Sequence, residues 1–352
     1  MGRAETSRRA KTRKRAIISS LPDCLIHVIM SFMTAQEAVR TCVLSKRWKN
    51  LWTTLPFLDF DLSEFEHDDE SDGESQYYEI KTNKFQKFRE FVKMTLLLRG
   101  ASNLHSFCLS CPEMFDLDKY LMFIRSWILY VLKHNVQVLN IDFGFDGSLP
   151  LGNSIFTCVS LVDATLNFPI SHYSIRVINL PCLKRLYLRW IYLAQEFIDE
   201  LFCGCPVLEF LHLEDCCRGY STINCKSLKY LIVEDCNSTS AKREEVELIN
   251  TPNLLSFCYG DDVECFGHDM LLKMLSLTSA SICVRWTLKN VSYKGKNNVL
   301  LGLSGVQNPK LVGAMIKGLL KNELPNCPEF SNMKDLLVDG LCLSCHFDLL
   351  GS

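Results

Sequence analysis

The stretch that decides the fold runs from Ile18 to Leu55 and reads ISSLPDCLIHVIMSFMTAQEAVRTCVLSKRWKNLWTTL. It predicts three short helices, because an apolar stripe at helical spacing recurs three times with a turn signal between each. Ser20 and Ser45 are suitable N-caps for the first and third helices. Thr34, with Glu37 three residues later, has the capping-box pattern for the second. The three stripes consist of Leu25, Ile26, Ile29 and Phe32, then Ala38, Val39, Cys42 and Val43, and then Trp48, Leu51 and Trp52.

So small a segment has too much surface for its volume to bury three stripes and two tryptophans by itself. We therefore expect part of its apolar surface to be covered by another protein or by the rest of the chain. The alternative is a three-helix cap on a larger fold.

Four short motifs stand out in the same stretch: Leu21-Pro22-Asp23, Val43-Leu44-Ser45-Lys46-Arg47-Trp48, Leu51-Trp52 and Leu55-Pro56. Together they resemble the F-box of plant F-box/leucine-rich-repeat proteins, and we assign residues 17–58 to it. The resemblance implies docking onto a Skp-family adaptor and, through it, onto the cullin and RING subunits of a ubiquitin ligase. Some of the implied adaptor-binding residues must pack inside the segment, and the sequence does not divide them. They are Leu21, Pro22, Leu25, Ile29, Val43, Leu44, Trp48, Leu51 and Trp52.

Charge patterning marks two flanking segments. The chain has 352 residues and a net charge of −2, which gives no reason to expect a nucleic-acid or membrane partner. Residues 1–16 carry seven Lys or Arg against one Glu and predict a disordered basic arm, which is either a nuclear-import signal or a solvated tail. Residues 59–80 are strongly acidic and predict an extended linker or exposed loop.

The cysteines indicate a reducing compartment. There are 18, and they lie in Leu-rich periodic segments rather than in loops, which favours reduced thiols in a nuclear or cytoplasmic protein. No apolar run is long enough to span a bilayer. Cys342-Leu-Ser-Cys345-His346 matches the C-x-x-C-H haem pattern, but Cys108-Leu-Ser-Cys111 shows that such pairs arise readily in this chain. We expect no cofactor, no metal and, because no catalytic motif occurs, no enzymatic activity.

A repeat begins after about residue 81. Each unit has apolar residues at positions i, i+3 and i+5. The first positions of seven such units are separated by 32, 25, 22, 25, 20 and 26 residues, and all but the first interval fall within the 20–29 residues of leucine-rich repeats. The longer first interval contains a helix-like apolar stripe, Leu121–Ile124–Ile128–Val131, which accounts for the extra residues. We therefore predict an α/β fold, in which the three-helix F-box is followed over residues 81–352 by a leucine-rich-repeat solenoid with a curved parallel sheet. The units are Leu104–Phe107–Leu109, Val136–Leu139–Ile141, Leu161–Ala164–Leu166, Leu183–Leu186–Leu188, Leu208–Leu211–Leu213, Leu228–Leu231–Val233 and Leu254–Phe257–Tyr259.

Elements around the repeats are less regular. Residues 194–202 predict a helix between strands, and Cys216 and Cys236 occupy the position where the repeat consensus has Asn or Cys, which indicates a structural role. Further strands are predicted at residues 282–286 and 299–303. A last unit, Met333–Leu336–Val338, precedes a C-terminus in which we expect an incomplete cap, with only the approach to the FBD region of many plant relatives.

Side chains that alternate with the buried repeat positions are candidates for binding a target protein, because tyrosine, arginine and phenylalanine at such positions are typical of interaction hot spots. The alternative is an ordinary exposed sheet face. We predict a non-catalytic substrate receptor of a ubiquitin ligase; the alternatives are an F-box scaffold without ubiquitin transfer, or a repeat-based binding, redox or haem protein. The candidate target-binding residues are Arg185, Tyr187, Arg189, Phe210, His212 and Tyr230.

Overall fold

The computed structural model divides into two compact units, Met1–Gly144 and Phe145–Ser352. The predicted cap Ser20, the basic arm and the C-x-x-C-H motif lie outside the residues that the structure describes. The described residues are 21–45, 47–65, 74–99, 103–111, 117–143, 152–170, 175–220, 222–238, 248–262, 271–273, 276–285, 300, 303–313, 320, 324–326 and 329–339.

The first unit opens with three helices, α1 (Asp23–Met30), α2 (Ala35–Arg40) and α3 (Trp48–Leu51), with 3₁₀ turns at Thr41–Val43 and Trp52–Thr54. The predicted capping box is present, since Thr34 Oγ1 accepts from the Glu37 amide at 3.3 Å and the Glu37 carboxylate accepts from the Thr34 amide at 3.1 Å. Ser45 Oγ accepts from the Trp48 amide at 3.4 Å, which confirms the cap of the third helix.

Three parallel strands complete this unit, with a helix before each of the last two. They are β1 (Phe57–Asp61), β2 (Ser106–Cys111) and β3 (Val138–Phe143), and the helices are α4 (Glu74–Leu98) and α5 (Leu117–Lys133). In the sheet register, Phe57 lies opposite Ser106, which lies opposite Val138.

At both ends of residues 59–80 the structure has regular elements instead of the extended linker that the charge predicts. Residues 59–61 belong to β1, Leu62–Phe65 is a 3₁₀ turn, and α4 begins at Glu74. The reason is that Leu58 and Phe60 alternate with the acidic residues and are buried, so that the strand has one apolar and one charged face. The sequence prediction missed this short alternation because the segment as a whole is so rich in acidic residues.

The second unit carries helices α6 (Gly152–Phe156) and α7 (Gln195–Gly204) and a parallel sheet in the order β4-β5-β6-β9-β12-β14-β15-β16. Short strands form a second layer of pairs, in which β7 lies between β5 and β10, and β11 lies between β8 and β13. A 3₁₀ turn spans Leu324–Asn326. The strands are β4 (Asp163–Ile170), β5 (Arg185–Ala194), β6 (Phe210–Glu214), β7 (Cys217–Gly219), β8 (Thr222–Asn224), β9 (Tyr230–Glu234), β10 (Asn237–Ser238), β11 (Leu248–Asn250), β12 (Ser256–Asp262), β13 (Leu271–Lys273), β14 (Ser279–Arg285), β15 (Asn308–Val312) and β16 (Leu337–Asp339).

Burial confirms the repeat. All 21 apolar residues of the seven predicted units have at most 1% of their surface exposed. Three further sets, which the sequence analysis did not identify, have the same spacing and are buried: Leu55–Leu58–Phe60, Leu277–Ala280–Ile282 and Val306–Pro309–Leu311.

Towards the C-terminus the predictions hold less well. Residues 282–285 lie in β14 as expected, but Leu300 and Leu303 are helical rather than part of a strand. In the predicted unit Met333–Leu336–Val338, Val338 pairs opposite Leu311, yet its three apolar residues are 39–51% exposed. The repeat pattern therefore predicts correctly that a strand pairs here, but its apolar residues are not buried as the pattern requires.

Two strand ends show why the repeat has its cysteines. After β6 and β9 the chain turns through Asp215 (φ 48°) and Asp235 (φ 52°), a left-handed conformation that Asp tolerates better than most residues. The next residue is a buried cysteine. Cys216 Sγ lies 3.2 Å from the Glu214 carbonyl oxygen, and Cys236 Sγ lies 3.3 Å from that of Glu234. Both thiols therefore tie the turn to the strand that precedes it.

None of the helices in the described ranges combines the length and the apolar character that a membrane crossing requires. The 14 cysteines within those ranges are free thiols, and eight of them are buried.

Candidate protein-interaction surfaces

The N-terminal helices have a core of their own. Seven buried apolar side chains form one cluster, to which partly buried residues such as Leu21 and Phe57 add. Trp48 and Trp52 belong to this cluster and are only 3% and 8% exposed. The two indoles are therefore covered within the chain, with Phe57 from the rest of the chain packed against the same cluster. The cluster consists of Ile26, Met30, Ala38, Trp48, Leu51, Trp52 and Leu55.

A second set of apolar side chains on the same segment remains exposed. On α1, Ile26 and Met30 are one turn apart and face the core, which places the residues at 25, 28, 29 and 32 on the other side. Phe32 is 86% exposed and Val43 is 84% exposed. We call the six exposed residues the docking set; they are Leu25, Val28, Ile29, Phe32, Val43 and Leu44.

The structure thus divides the nine predicted adaptor-binding residues by burial. Trp48, Leu51 and Trp52 lie in the core, and Leu21 is half-buried against it. The exposed members are Pro22, Leu25, Ile29, Val43 and Leu44. Phe32 was placed on the same stripe as Leu25 but was not among the predicted adaptor-binding residues, and Val28 was absent from both, although its i, i+3 spacing from Leu25 could have indicated a shared face.

One ion pair explains how two of the sequence motifs act together. The Arg47 guanidinium donates to the Asp23 carboxylate, which joins the start of α1 to the turn before α3. Asp23 also lies in the first turn of α1, where a negative charge is favourable to the helix dipole. The pair therefore links the motif that contains Asp23 to the motif that ends at Trp48.

A cavity of about 280 Å³ adjoins the docking set within the same unit. Phe32, Met33 and Phe57 supply apolar walls, while Asp59 and Cys108 supply polar ones. Burial raises the pKa of the Asp59 carboxyl, and burial together with the charge of Asp59 raises the pKa of the Cys108 thiol. The thiol therefore stays protonated and is a poor nucleophile.

In the second unit, the predicted target-binding residues share one face of the sheet. Their side chains alternate with the buried repeat positions, and we call this side the outward face. Sheet register aligns them in three rows across β5, β6 and β9: Arg185–Phe210–Tyr230, Tyr187–His212–Ile232 and Arg189–Glu214–Glu234.

Planar groups stack along the first row. Arg185 Nε lies 3.3 Å from an Asp163 carboxylate oxygen, and its guanidinium lies 5.5 Å from the centre of the Phe210 ring. The rings of Phe210 and Tyr230 are 6.4 Å apart. Cation–π and ring contacts of this kind hold flat surfaces towards solvent.

Polar contacts join the other two rows. The Tyr187 hydroxyl donates to the Glu214 carboxylate, and the rings of Tyr187 and His212 meet edge to face at 4.6 Å. Burial, followed by the contact with Glu214, raises the pKa of Tyr187, which keeps the hydroxyl protonated as a donor. His212 Nε2 lies 3.4 Å from the Glu234 carboxylate.

Arg189 links the last row to the turn that follows β6. Its Nε and one Nη donate to Asp215 at 2.9 and 2.7 Å, and the same Nη lies 3.5 Å from Glu214. Burial lowers the pKa of Arg189, but the bond to Asp215 and the charge of Glu214 outweigh it and raise the pKa overall. All six predicted target-binding residues are therefore brought together, in an arrangement suited to binding. Within the described residues, no group of three or more His, Cys, Asp or Glu could hold a metal ion.

Comparison with known proteins matches both units. Residues 18–60 match the F-box domain, and residues 124–281 match the LRR repeats of the FBD-associated F-box protein At5g56370. The Arabidopsis thaliana F-box protein At3g03040 is 31% identical over 350 residues, which cover 92% of this chain and 70% of that protein.

Two further Arabidopsis thaliana relatives carry the repeat in their names. F-box/LRR-repeat protein At4g14103 is 30% identical over 280 residues, covering 77% of this chain and 68% of that protein. Putative F-box/LRR-repeat protein At3g44090 is 32% identical over 255 residues, covering 72% of this chain and 54% of that protein. The chain thus spans from about half to 70% of the length of these relatives. With an F-box at its start and the repeats buried as the pattern requires, the chain belongs to the plant F-box/leucine-rich-repeat family.

Proposed function

We propose that this chain is the non-catalytic substrate-recognition subunit of an SCF-type cullin–RING ubiquitin ligase. The F-box docks on a Skp-family adaptor, and the repeats hold a target protein near the ubiquitin-loaded enzyme. Holding the target in this way raises its effective concentration and restricts its orientation, which is the whole contribution expected of such a subunit.

The observation that carries this proposal is the docking set. Six large apolar side chains stay exposed on a segment that already buries a complete core of its own. Large apolar side chains that stay exposed together on one folded segment mark an interaction site. Burying a residue such as Phe32 on a partner contributes about 1.5–3 kcal/mol.

Co-expression with a Skp-family adaptor tests the docking step. We expect the double substitution Val43→Asp with Leu44→Asp to abolish co-purification, because it places two charges where apolar surface meets the adaptor. Val159→Asp with Val207→Asp is the matched control, since both valines are exposed in the repeats. Equal loss from both pairs, or no loss from the first, would contradict the proposal.

Ubiquitin transfer needs a separate test, because a scaffold could bind the adaptor without it. The chain, adaptor, cullin and RING subunits are combined with ubiquitin and its activating and conjugating enzymes. We expect ubiquitination of lysines on the chain itself that disappears with the Val43→Asp and Leu44→Asp pair. An assembled complex that transfers nothing to the chain or to captured proteins would favour the scaffold.

We also propose that the protein acts in the nucleus, the cytoplasm or both, on the basis of its basic arm at residues 1–16 and its many cysteines. Full-length protein tagged with a fluorescent protein is compared with a variant in which the basic residues of the arm are replaced by Gln. Nuclear fluorescence that is lower for the variant than for the wild type would identify the arm as an import signal. Secretion of the wild-type chain would overturn the proposal.

A further inference from the structure

The outward face of β5, β6 and β9 offers two chemically different ends. At the amino ends of these strands lies the row Arg185–Phe210–Tyr230, which we call the aromatic end. Four residues further along lie Arg189 in the middle of β5 and Glu214 and Glu234 at the carboxyl ends of β6 and β9, each followed by a residue in the left-handed conformation. The two rows are four residues apart along each strand, which corresponds to about 13 Å.

The aromatic end is open to solvent. Arg185 has 52% of its side chain exposed, and Tyr230 is 37% exposed. The guanidinium contacts the Phe210 ring, which in turn contacts the tilted Tyr230 ring, so the three side chains restrict one another before binding. Such a surface suits an aromatic or proline side chain of a partner.

The second row carries an excess of negative charge. Three carboxylates (Glu214, Asp215 and Glu234) outnumber the Arg189 guanidinium, which gives these four residues a net charge of −2. We call it the acidic end. Glu214 and Asp215 keep 24% and 34% of their side chains exposed although Arg189 contacts both. A basic side chain is the complement of this end.

We propose that the repeats bind an extended segment of the target that carries an aromatic and a basic residue four positions apart. This inference rests on the proposed role of the repeats in holding a target. In an extended chain, side chains at even spacing lie on the same side, and a separation of four residues spans the same distance of about 13 Å as the two ends. The residue midway between them faces His212 and Ile232, and is expected to be small or apolar.

Trp190 supports the acidic end as a contact surface. It follows Arg189 within β5, as Asp215 and Asp235 follow Glu214 and Glu234 in the next two repeats, and like them it has a positive φ, of 59°. A bulky side chain is unfavourable in this conformation, and strain of this kind collects at functional sites. Arg189 lies 4.7 Å from the centre of its indole ring, so the half-buried ring borders the acidic end. Trp is also the residue type most enriched at binding hot spots.

The test uses the full chain in complex with its adaptor and fluorescein-labelled peptides of Gly and Ser that contain one Tyr and one Arg. Peptides with Tyr and Arg four residues apart, in either order, are compared by fluorescence anisotropy with three controls: spacing of three, Arg replaced by Glu, and Tyr replaced by Ala. We expect the matched spacing to bind at least about tenfold more tightly than each control. Equal affinity for the spacing or charge controls, or tighter binding of a single-stranded oligonucleotide, would overturn the proposal.

Two chain variants assign the ends. Tyr230→Ala should remove the advantage of the Tyr peptide over its Ala control, and Glu214→Gln should reduce the advantage of Arg over Glu. Neither residue belongs to the F-box, so adaptor co-purification should be unchanged. A wild-type chain that binds the adaptor but does not discriminate among the peptides would show that this inference fails while the proposed ligase role stands.

Trp190→Asn distinguishes a contact role from a structural one. Asn tolerates the left-handed conformation and adds no charge, so the variant should unfold at a higher temperature than the wild type. Its affinity for the matched peptide should nevertheless fall about fivefold or more. A variant that keeps its affinity for the matched peptide would show that Trp190 is not a contact residue, and an equal loss of affinity for the matched and control peptides would assign it a structural role.

Discussion

Phe32 and Phe60 form a matched pair that separates docking from folding in the first unit. Phe32 follows α1 and is 86% exposed, whereas Phe60 lies in β1 and is 1% exposed. The Phe60 ring packs edge to face against Phe91 at 6.0 Å and against Phe107 at 5.9 Å. Replacing each with Ala removes the same atoms from opposite environments.

The expected magnitudes follow from these exposures. Full burial of a Phe side chain contributes about 1.5–3 kcal/mol, so covering the exposed part of Phe32 on the adaptor contributes about 1.3–2.6 kcal/mol. Phe32→Ala should therefore weaken adaptor binding by about 10- to 70-fold. Its effect on the free energy of unfolding should stay within about 0.5 kcal/mol, as for other exposed positions. Phe60→Ala should lower that free energy by about 3–5 kcal/mol, because it leaves a cavity in the core.

Urea denaturation followed by tryptophan fluorescence measures the stabilities, since Trp48 and Trp52 are both buried in the first unit. Calorimetric titration of purified adaptor into each folded variant measures the affinities. The reasoning would be refuted if Phe32→Ala destabilised the chain as much as Phe60→Ala. It would also be refuted if Phe32→Ala bound the adaptor with wild-type affinity.

Three further substitutions test the fold. Burial raises the pKa of Asp59, so the folded state binds a proton more tightly than the unfolded state, and stability falls as the pH rises through the folded pKa. Asp59→Asn should therefore raise the melting temperature at pH 7.5. This gain should vanish below the ordinary pKa of an aspartate, about 3.9. Thr34→Ala should cost about 0.5–2 kcal/mol of unfolding free energy in urea denaturation, while Thr34→Ser should cost little, because the hydroxyl caps α2. Leu211→Ala should cost about 2–5 kcal/mol in the same assay and Tyr230→Ala much less; equal losses would contradict the inward and outward assignment of the strands.

The repeat was predictable because its signal is redundant. A strand must alternate between two faces, and stacking buries the same face in every repeat, so that one pattern recurs seven times. The prediction of the repeat therefore did not depend on any single unit. The unit at Leu55–Leu58–Phe60 was overlooked because it stands 49 residues before the next one, with α4 between them, and because acidic residues fill its outward positions.

The division of the F-box residues could not be predicted, for a physical reason. Periodicity shows which residues share a helix face, but α1 is apolar on two faces. Ile26 and Ile29 differ by three positions, and one is buried while the other is 39% exposed. Which face becomes the core depends on where α2, α3 and β1 pack, and this is tertiary information. The same limit applies to Leu300 and Leu303, where a short apolar run fits either a strand or a helix.

Leu55 shows that the docking module and the first repeat are built without a separate linker. Its side chain belongs to the core of the N-terminal helices, and it also holds the first position of the unit that continues through Leu58 and Phe60. The next residue, Pro56, accepts hydrogen bonds from the amides of His105 and Ser106 at 2.6 and 3.0 Å, which ties the junction to the start of β2. A flexible linker would only raise the local concentration of whatever the repeats hold, whereas a shared core also restricts orientation. In the first unit, the N-terminal helices are therefore anchored to the sheet through the buried Leu55 and through Phe57 of β1, which packs against the same core.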